Sequence, residues 1–264
     1  KYNVHTVIAY VDDPFDGNAA GTIDGKPTDL YPYDYKKAEV TVSKVGRSGF
    51  LSRLTSNIAA KAAETPSNTG IMIVCVVDEE SKPVAGASVT ITNPDMSPPV
   101  DIAGQSGLDG CLMVPNLPPD SHNGYHLTST KAGYSFDSTS PRTPQNPHAT
   151  NPDLNVIIQK ITSQTLTIDK FGTMILHFAD EAGNAVGNAN FHMEGAKTLY
   201  FNPSTKKYSA DLTSDAEGNL IINDLEFDSY SISIPEWIIV STSPYQPVQL
   251  RAEQNLEIWI TLTK

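Results

Sequence analysis

Ile73-Val74-Cys75-Val76-Val77-Asp78-Glu79, continued by Val84-Ala85-Gly86-Ala87-Ser88-Val89, has a partner in Ile175-Leu176-His177-Phe178-Ala179-Asp180-Glu181, continued by Val186-Gly187-Asn188-Ala189-Asn190-Phe191. In both, a β-branched and apolar run stops at an Asp. Small and polar residues then reverse the chain, and a small residue, Ala87 or Ala189, opens the next strand where two backbones come close. Farther on, Asp109-Gly110-Cys111-Leu112-Met113-Val114 with Leu117 answers Glu217-Gly218-Asn219-Leu220-Ile221-Ile222 with Leu225. Gly110 and Gly218 supply the positive φ that a tight turn before a core strand needs. The copies lie about 100 residues apart, the length of one small β-sandwich. Leu154-Asn155-Val156-Ile157-Ile158 is read as closing the first copy, and Asn255-Leu256-Glu257-Ile258-Trp259-Ile260 as closing the second.

The same texture extends outward. Tyr2 to Val11, Ala38 to Val42, Ile71 to Val77 and Leu256 to Thr263 alternate with period 2, and 17 Gly and 19 Pro interrupt the chain too often for long helices. One stretch, Leu51 to Glu64, is helix-compatible through Ala59-Ala60-Lys61-Ala62-Ala63, although its front half suits a strand equally. The class is all-β. The 264 residues suggest two or three domains, divided at 1–66, 67–166 and 167–264. Apolar runs recur along the whole length, which argues against disorder, and none approaches the ~20 residues of a membrane-spanning helix. Basic residues number 18 against 30 acidic, for a net charge of −12. Residues 1–66 hold eight of each sign, so the acidic excess arises wholly from 67–264. Such a surface repels a phosphate backbone, and no nucleic-acid partner is expected.

Asp78 to Val89 with Pro83, Val84, Gly86 and Ala87, then Gly107-Leu108-Asp109-Gly110, Leu117, Gly124-Tyr125 and Gly133-Tyr134, resembles the carboxypeptidase regulatory-like domain. That domain is related to the Cna-B modules of surface proteins. The second copy keeps Asp180, Val186, Ala189, Gly218, Leu225 and Tyr230 but lacks the late Gly-Tyr. The resemblance implies tandem transthyretin-like (prealbumin-type), immunoglobulin-like sandwiches that serve as spacer, stalk or binding surface and perform no chemistry. Cna-B modules often carry an internal isopeptide bond that needs a Lys in the first strand. Neither first strand holds one, so no such crosslink is expected.

Residues 1–66 differ in character. Tyr10-Val11-Asp12-Asp13-Pro14-Phe15-Asp16-Gly17, Pro32 to Val42 and Leu54-Thr55-Ser56-Asn57-Ile58-Ala59 resemble the globular part of prepilin-type (type IV pilin-like) proteins, in which an apolar anchoring helix precedes such a region. The sequence read from Lys1 shows neither that helix nor a start Met, as in a mature or trimmed form. The alternative reading of 1–66 is a third, degenerate β domain.

Candidate chemistry is sparse. The repeat places His177 and Asn219 where the first copy has Cys75 and Cys111, so both positions tolerate polar side chains and are expected to face outward. On neighbouring strands the two thiols would form a disulfide, an extracellular feature; on separate strands they would stay unpaired. Asp12, Asp13 and Asp16 form an acidic loop, with Asp24 and Asp29 nearby, that offers carboxylates to Ca²⁺. The EF-hand spacing is missing, and a plain turn explains the same residues. No other cofactor is expected. Tyr31, Tyr33 and Tyr35 alternate along an extended segment, and one aromatic face there would serve either stacking on a ligand or packing. Trp237 and Trp259 are expected in a core or between domains, the six His on the surface, and Pro141 to Pro152 in a long exposed loop. No nucleophile elbow, phosphate loop or zinc motif is present.

These readings converge on a non-enzymatic extracellular protein of the bacterial cell surface, pilin-like or pilus-associated, structural or adhesive. Its expected partners are other pilin or surface subunits, or a host or glycan ligand. The alternative is a carbohydrate- or protein-binding accessory module of a larger secreted enzyme or adhesin.

Overall fold

The computed structural model describes residues 1–14, 17, 25–26, 29, 34–46, 49–59 and 68–264, and no helix occurs among them. The strands begin with β1 (Tyr2–Val11), β2 (Tyr35–Lys44) and β3 (Phe50–Ala59). There follow β4 (Gly70–Val77), β5 (Ser88–Asn93), β6 (Val100–Gln105), β7 (Cys111–Leu117), β8 (Asp120–Thr130), β9 (Asp137–Ser138), β10 (Leu154–Val156) and β11 (Ile161–Thr167). Next are β12 (Gly172–Asp180), β13 (Asn190–Gly195), β14 (Thr198–Phe201), β15 (Ser204–Lys206) and β16 (Ser209–Thr213). The series closes with β17 (Asn219–Leu225), β18 (Asp228–Ser233), β19 (Ile238–Ser243), β20 (Val248–Leu250) and β21 (Asn255–Thr263). They fall into two compact units, residues 1–77, 81–129 and 153–166 in one and residues 78–80, 130–152 and 167–264 in the other.

The first unit contains the antiparallel sheet β1-β2-β3 and a sandwich. In that sheet β1 and β2 pair without a break from Tyr2↔Lys44 to Val11↔Tyr35. The described part of the helix-compatible stretch is strand β3, paired with β2 from Tyr35↔Ala59 onward. Thr55 and Ile58 are β-branched, and a ladder of backbone bonds outweighs the modest helix preference of a short Ala run. The sandwich sets the order β10-β8-β5-β6 against β11-β4-β7. Met72, Val74, Val76, Val89, Ile91, Tyr125, Leu127 and Leu166 are fully buried between them. Each such aliphatic side chain is worth about 1.5–3 kcal/mol of burial.

The second unit repeats this plan. Its sheets run β20-β18-β13-β16 and β19-β21-β12-β17, so β12 stands for β4, β13 for β5, β16 for β6, β17 for β7, β18 for β8 and β20 for β10. Met174, Leu176, Phe178, Phe191, Met193, Tyr230, Ile232, Leu250, Ile258, Ile260 and Leu262 fill one core. Small details recur as well. The N–H of Ala87 donates to Ser106 Oγ and that of Ala189 to Ser214 Oγ, each at 2.9 Å, and both serines are buried. Tyr125 and Tyr230, both in the core, donate their hydroxyls to the carbonyls of Pro118 (2.6 Å) and Glu226 (2.8 Å). Burial pushes both phenols up, that of Tyr125 to about 12. Gly110 and Gly218 turn with φ of 79° and 76°.

The assignment of the closing strands needs correction. Leu154–Val156 pairs with β8 as Val248–Leu250 pairs with β18. The counterpart of β21 is β11, which lies beside β4 as β21 lies beside β12. Ile161-Thr162-Ser163-Gln164-Thr165-Leu166-Thr167 gives a weak strand signal because its outward residues are polar and its inward run is short. β19 has no counterpart among the described strands of the first copy.

Candidate functional site

In the first sandwich Cys75 of β4 and Cys111 of β7 are register partners, and their sulfurs are bonded at 2.03 Å. Both are half-buried. The second copy holds the same register position with His177↔Asn219, where Nδ1 of His177 lies 2.7 Å from Oδ1 of Asn219. The imidazole also stacks on Trp259, its parallel partner on β21, with ring centroids 4.1 Å apart. A covalent clip in one copy thus stands where a hydrogen bond and a ring stack stand in the other. Trp259 is 55% exposed on this outer face, contrary to the expected core placement, because period-2 alternation in β21 turns Ile258 and Ile260 inward instead. Trp237 does pack against the core.

Of the acidic region, three carboxylates converge among the described residues. Asp12, Asp29 and Asp34 each bring a carboxylate oxygen within 4.8 Å of the others, and Asp29 is buried. Asp13 contributes a backbone N–H, donated to Asp34 Oδ2, and Asp16 lies outside the described residues. Three oxygens are half or fewer of the six to eight that Ca²⁺ takes. Of the tyrosine series, Tyr35 begins β2 half-buried, while Tyr31 and Tyr33 lie outside the described residues.

Among the described residues, three histidines have carboxylate neighbours. His122 Nδ1 lies 3.3 Å from Asp120 on an exposed turn. His126 Nδ1 lies 2.9 Å from the buried Asp153, whose hydrogen bond raises the imidazole above its ordinary range. His192 Nδ1 lies 2.7 Å from Asp211, and Ser209 Oγ lies 3.2 Å from His192 Nε2. That last order matches a nucleophile–base–carboxylate relay, but the Asp211 side chain is 92% exposed. A carboxylate in water does not fix the imidazole as a buried one does. Neither cavity described below is lined by Ser209 or His192.

The most elaborate polar site has no motif and was invisible in the sequence. It is a cavity of about 360 Å³ within the second unit, lined by residues of β9 and the 140–151 loop on one side and of the β13–β18 connections on the other. Lys197 follows β13, Lys207 follows β15 and Glu226 precedes β18. Lys197 Nζ donates to Glu226 Oε1 at 2.8 Å, and Lys207 Nζ reaches both oxygens of the same carboxylate at 2.9 Å. Lys207 also donates to the carbonyl of Phe136 at 2.7 Å and lies 4.0 Å from Asp137. Lys197 sits over the ring of Phe227, 3.2 Å from its centroid. Burial pushes its ammonium down from the usual lysine range, against the pull of Glu226. Gly195 makes the corner possible: a Cβ there would fall 2.3 Å from Asp228 Oδ2, the atom that accepts the Lys197 N–H at 3.0 Å. The Pro-rich loop therefore is more than an exposed connection. Ala149 is buried and bridges to Tyr200, and Thr150 Oγ1 donates to the Thr198 carbonyl at 2.6 Å. A smaller cavity of about 340 Å³ in the first unit is lined by Asp95, Asp120, Ser121 and His122. Asp120 there accepts the N–H groups of His122 and Gly124 (2.9 and 2.7 Å); these bonds hold its carboxyl below the usual range, although burial, the largest influence, opposes them.

No family model matches the sequence, and no curated protein is similar to it. Among solved structures the chain is similar to the Bacillus anthracis TIE protein, at 13% identity and a TM-score of 0.30 over 87% of this chain; it spans 43% of that protein's length. GBS52, the minor pilin of Streptococcus agalactiae, is matched at 11% identity and a TM-score of 0.32, over 74% of this chain and 96% of that one. A streptococcal ancillary pilin is matched at 13% identity and a TM-score of 0.31, over 99% of each chain.

Proposed function

We propose that this chain is a non-catalytic structural component of the bacterial cell surface, pilus-associated, in which tandem carboxypeptidase regulatory-like or Cna-B-type sandwiches follow a pilin-like β region. The observation that carries the reading is the combination of two sandwiches on one strand plan with a sheet whose last strand, β3, is rich in exposed apolar side chains. β3 pairs only with β2 among the described residues. Its Phe50, Leu51, Leu54 and Ile58 are 60, 61, 70 and 56% exposed. On the face shared with Leu54 and Ile58, Tyr2, Val4 and Ile8 of β1 are exposed too. An unpaired strand edge flanked by apolar side chains is a template for another strand, and a neighbouring subunit adding there would cover both.

The sandwiches supply shape instead of chemistry. Their cores are closed by large apolar side chains, and each is tied across β4–β7 or β12–β17 at the same register position. The Cys75–Cys111 disulfide suits an extracellular setting. Immunogold labelling of intact source cells with antibody to this chain tests the reading. Label along surface filaments is the expected result; label confined to the cytoplasm, or to material free of the cell, would overturn it.

A further inference from the structure

Each unit presents an apolar sheet face to solvent. In the first unit, register puts Val4 and Ile8 of β1 on the same side as Val40 and Val42 of β2 and Leu54 and Ile58 of β3, and Val4, Ile8, Leu54 and Ile58 are exposed. Lys36 and Lys44 stand on that side too, near the two ends of β2. In the second unit, Ile221 of β17 is the register partner of Ile175 of β12, and Glu257 and Trp259 of β21 lie beside Ile175 and His177. Ile221, Trp259 and, on β19, Ile238 are exposed on this outer side. The stack on His177, itself bonded to Asn219, holds Trp259 in one orientation, so docking against it freezes little extra side-chain freedom. A well-ordered, exposed Trp is the residue type that anchors protein interfaces.

Area and charge decide what covers these faces. Three ten-residue strands present roughly 500 Å² on one side, from ~3.4 Å per residue and ~4.8 Å per strand. Two faces of that size bury roughly 1,000 Å² in all, the lower bound for a specific protein–protein contact. Residues 167–264 carry six basic against thirteen acidic side chains, whereas residues 1–66 are balanced at eight of each. Docking either face on its own copy would set lysine-ended sheet against lysine-ended sheet, or an acidic sandwich against itself. Docking the sheet on the second sandwich of another copy sets Lys36 and Lys44 against the acidic surface around Glu257. We propose that the apolar side of β1-β2-β3 packs face to face on the outer side of β19-β21-β12-β17 of a second copy, with Val4, Ile8, Leu54 and Ile58 covering Ile221, Ile238 and Trp259. The contact is heterologous, so a pair of copies keeps one face of each kind and further copies add to it. This inference rests on the reading of the chain as an assembling surface subunit and names the surface of the neighbour that meets the sheet.

The test is sedimentation velocity on the full chain at about 100 μM, where a micromolar contact is occupied. The wild type is compared with a sheet variant, Leu54→Lys with Ile58→Lys, and a sandwich variant, Ile221→Lys with Ile238→Lys. The substituted side chains are all exposed, and circular dichroism with thermal melting establishes that each variant is folded. The wild type is expected to form species that grow with concentration, and each variant alone to stay monomeric. An equimolar mixture of the two variants should form a one-to-one dimer and nothing larger, because one intact face of each kind remains. A monomeric wild type, either variant associating alone as the wild type does, or a mixture that stays monomeric would overturn the proposal. The immunogold result is decided separately. Absence of surface label fails the pilus reading and leaves a measured association in place, whereas surface label on a chain that stays monomeric in solution fails only this contact.

Discussion

In the first sandwich the half-exposed imidazole of His126 meets the buried carboxylate of Asp153. The bond from Asp153 raises the folded-state pKa of His126 above its ordinary value near 6.5. The contribution is therefore complete below that unfolded value and is lost as pH rises through the higher folded one. Thermal melts of the wild type and His126→Gln should differ most below about pH 6 and converge on the alkaline side; a gap that widens with rising pH would contradict the assignment. Which residues are legible in the sequence has a physical reason. Cys75 and Cys111 could be placed outward because the repeat supplied His177 and Asn219 as a control. Asp153, Lys197, Lys207 and Glu226 belong to no motif, and their partners are brought close only by chain reversal. The Asp12 neighbourhood was half visible: the turn was plain, but the meeting of Asp12 with Asp34 depends on the return of the chain into β2.

A buried face makes some strands legible in the sequence but not all, since β8 and β18 alternate too and carry no comparable apolar run. β4 and β12 alternate cleanly and mark the repeat, whereas β11, with Thr, Ser and Gln in its run, carries a weaker apolar signal than the neighbouring β10. β3 was ambiguous because it is exposed on both faces, so its pattern carries no burial signal. That exposure makes a prediction. Leu54→Lys with Ile58→Lys should leave the fold intact, since both side chains are in solvent, and should abolish concentration-dependent self-association in sedimentation velocity. Association equal to the wild type would remove β3 as an assembly edge. The matched clips make another. Replacing both cysteines by Ser should cost the first sandwich roughly 3 to 4 kcal/mol through the reopened loop. Converting His177 and Asn219 to Cys should give a second bridge, detectable as loss of two free thiols. A free-thiol count of two in that variant would show that the register equivalence of β4–β7 and β12–β17 does not hold.

At the scale of the molecule, two sandwiches share one strand plan. The all-β class and the repeat followed from periodicity and turn residues. The allotment of 130–152 to the second unit did not, because a Pro-rich stretch has no period to read, and only its contacts through Ala149 and Thr150 reveal where it packs. Single-molecule force spectroscopy of the chain pulled from its two ends tests the plan most directly. Two separate unfolding events are expected, one for each sandwich. Reduction should lengthen only the event of the first, by roughly 12 nm of extended chain, because Cys75 and Cys111 lie 36 residues apart. A single unfolding event, or a pair of events that reductant leaves unchanged, would contradict it.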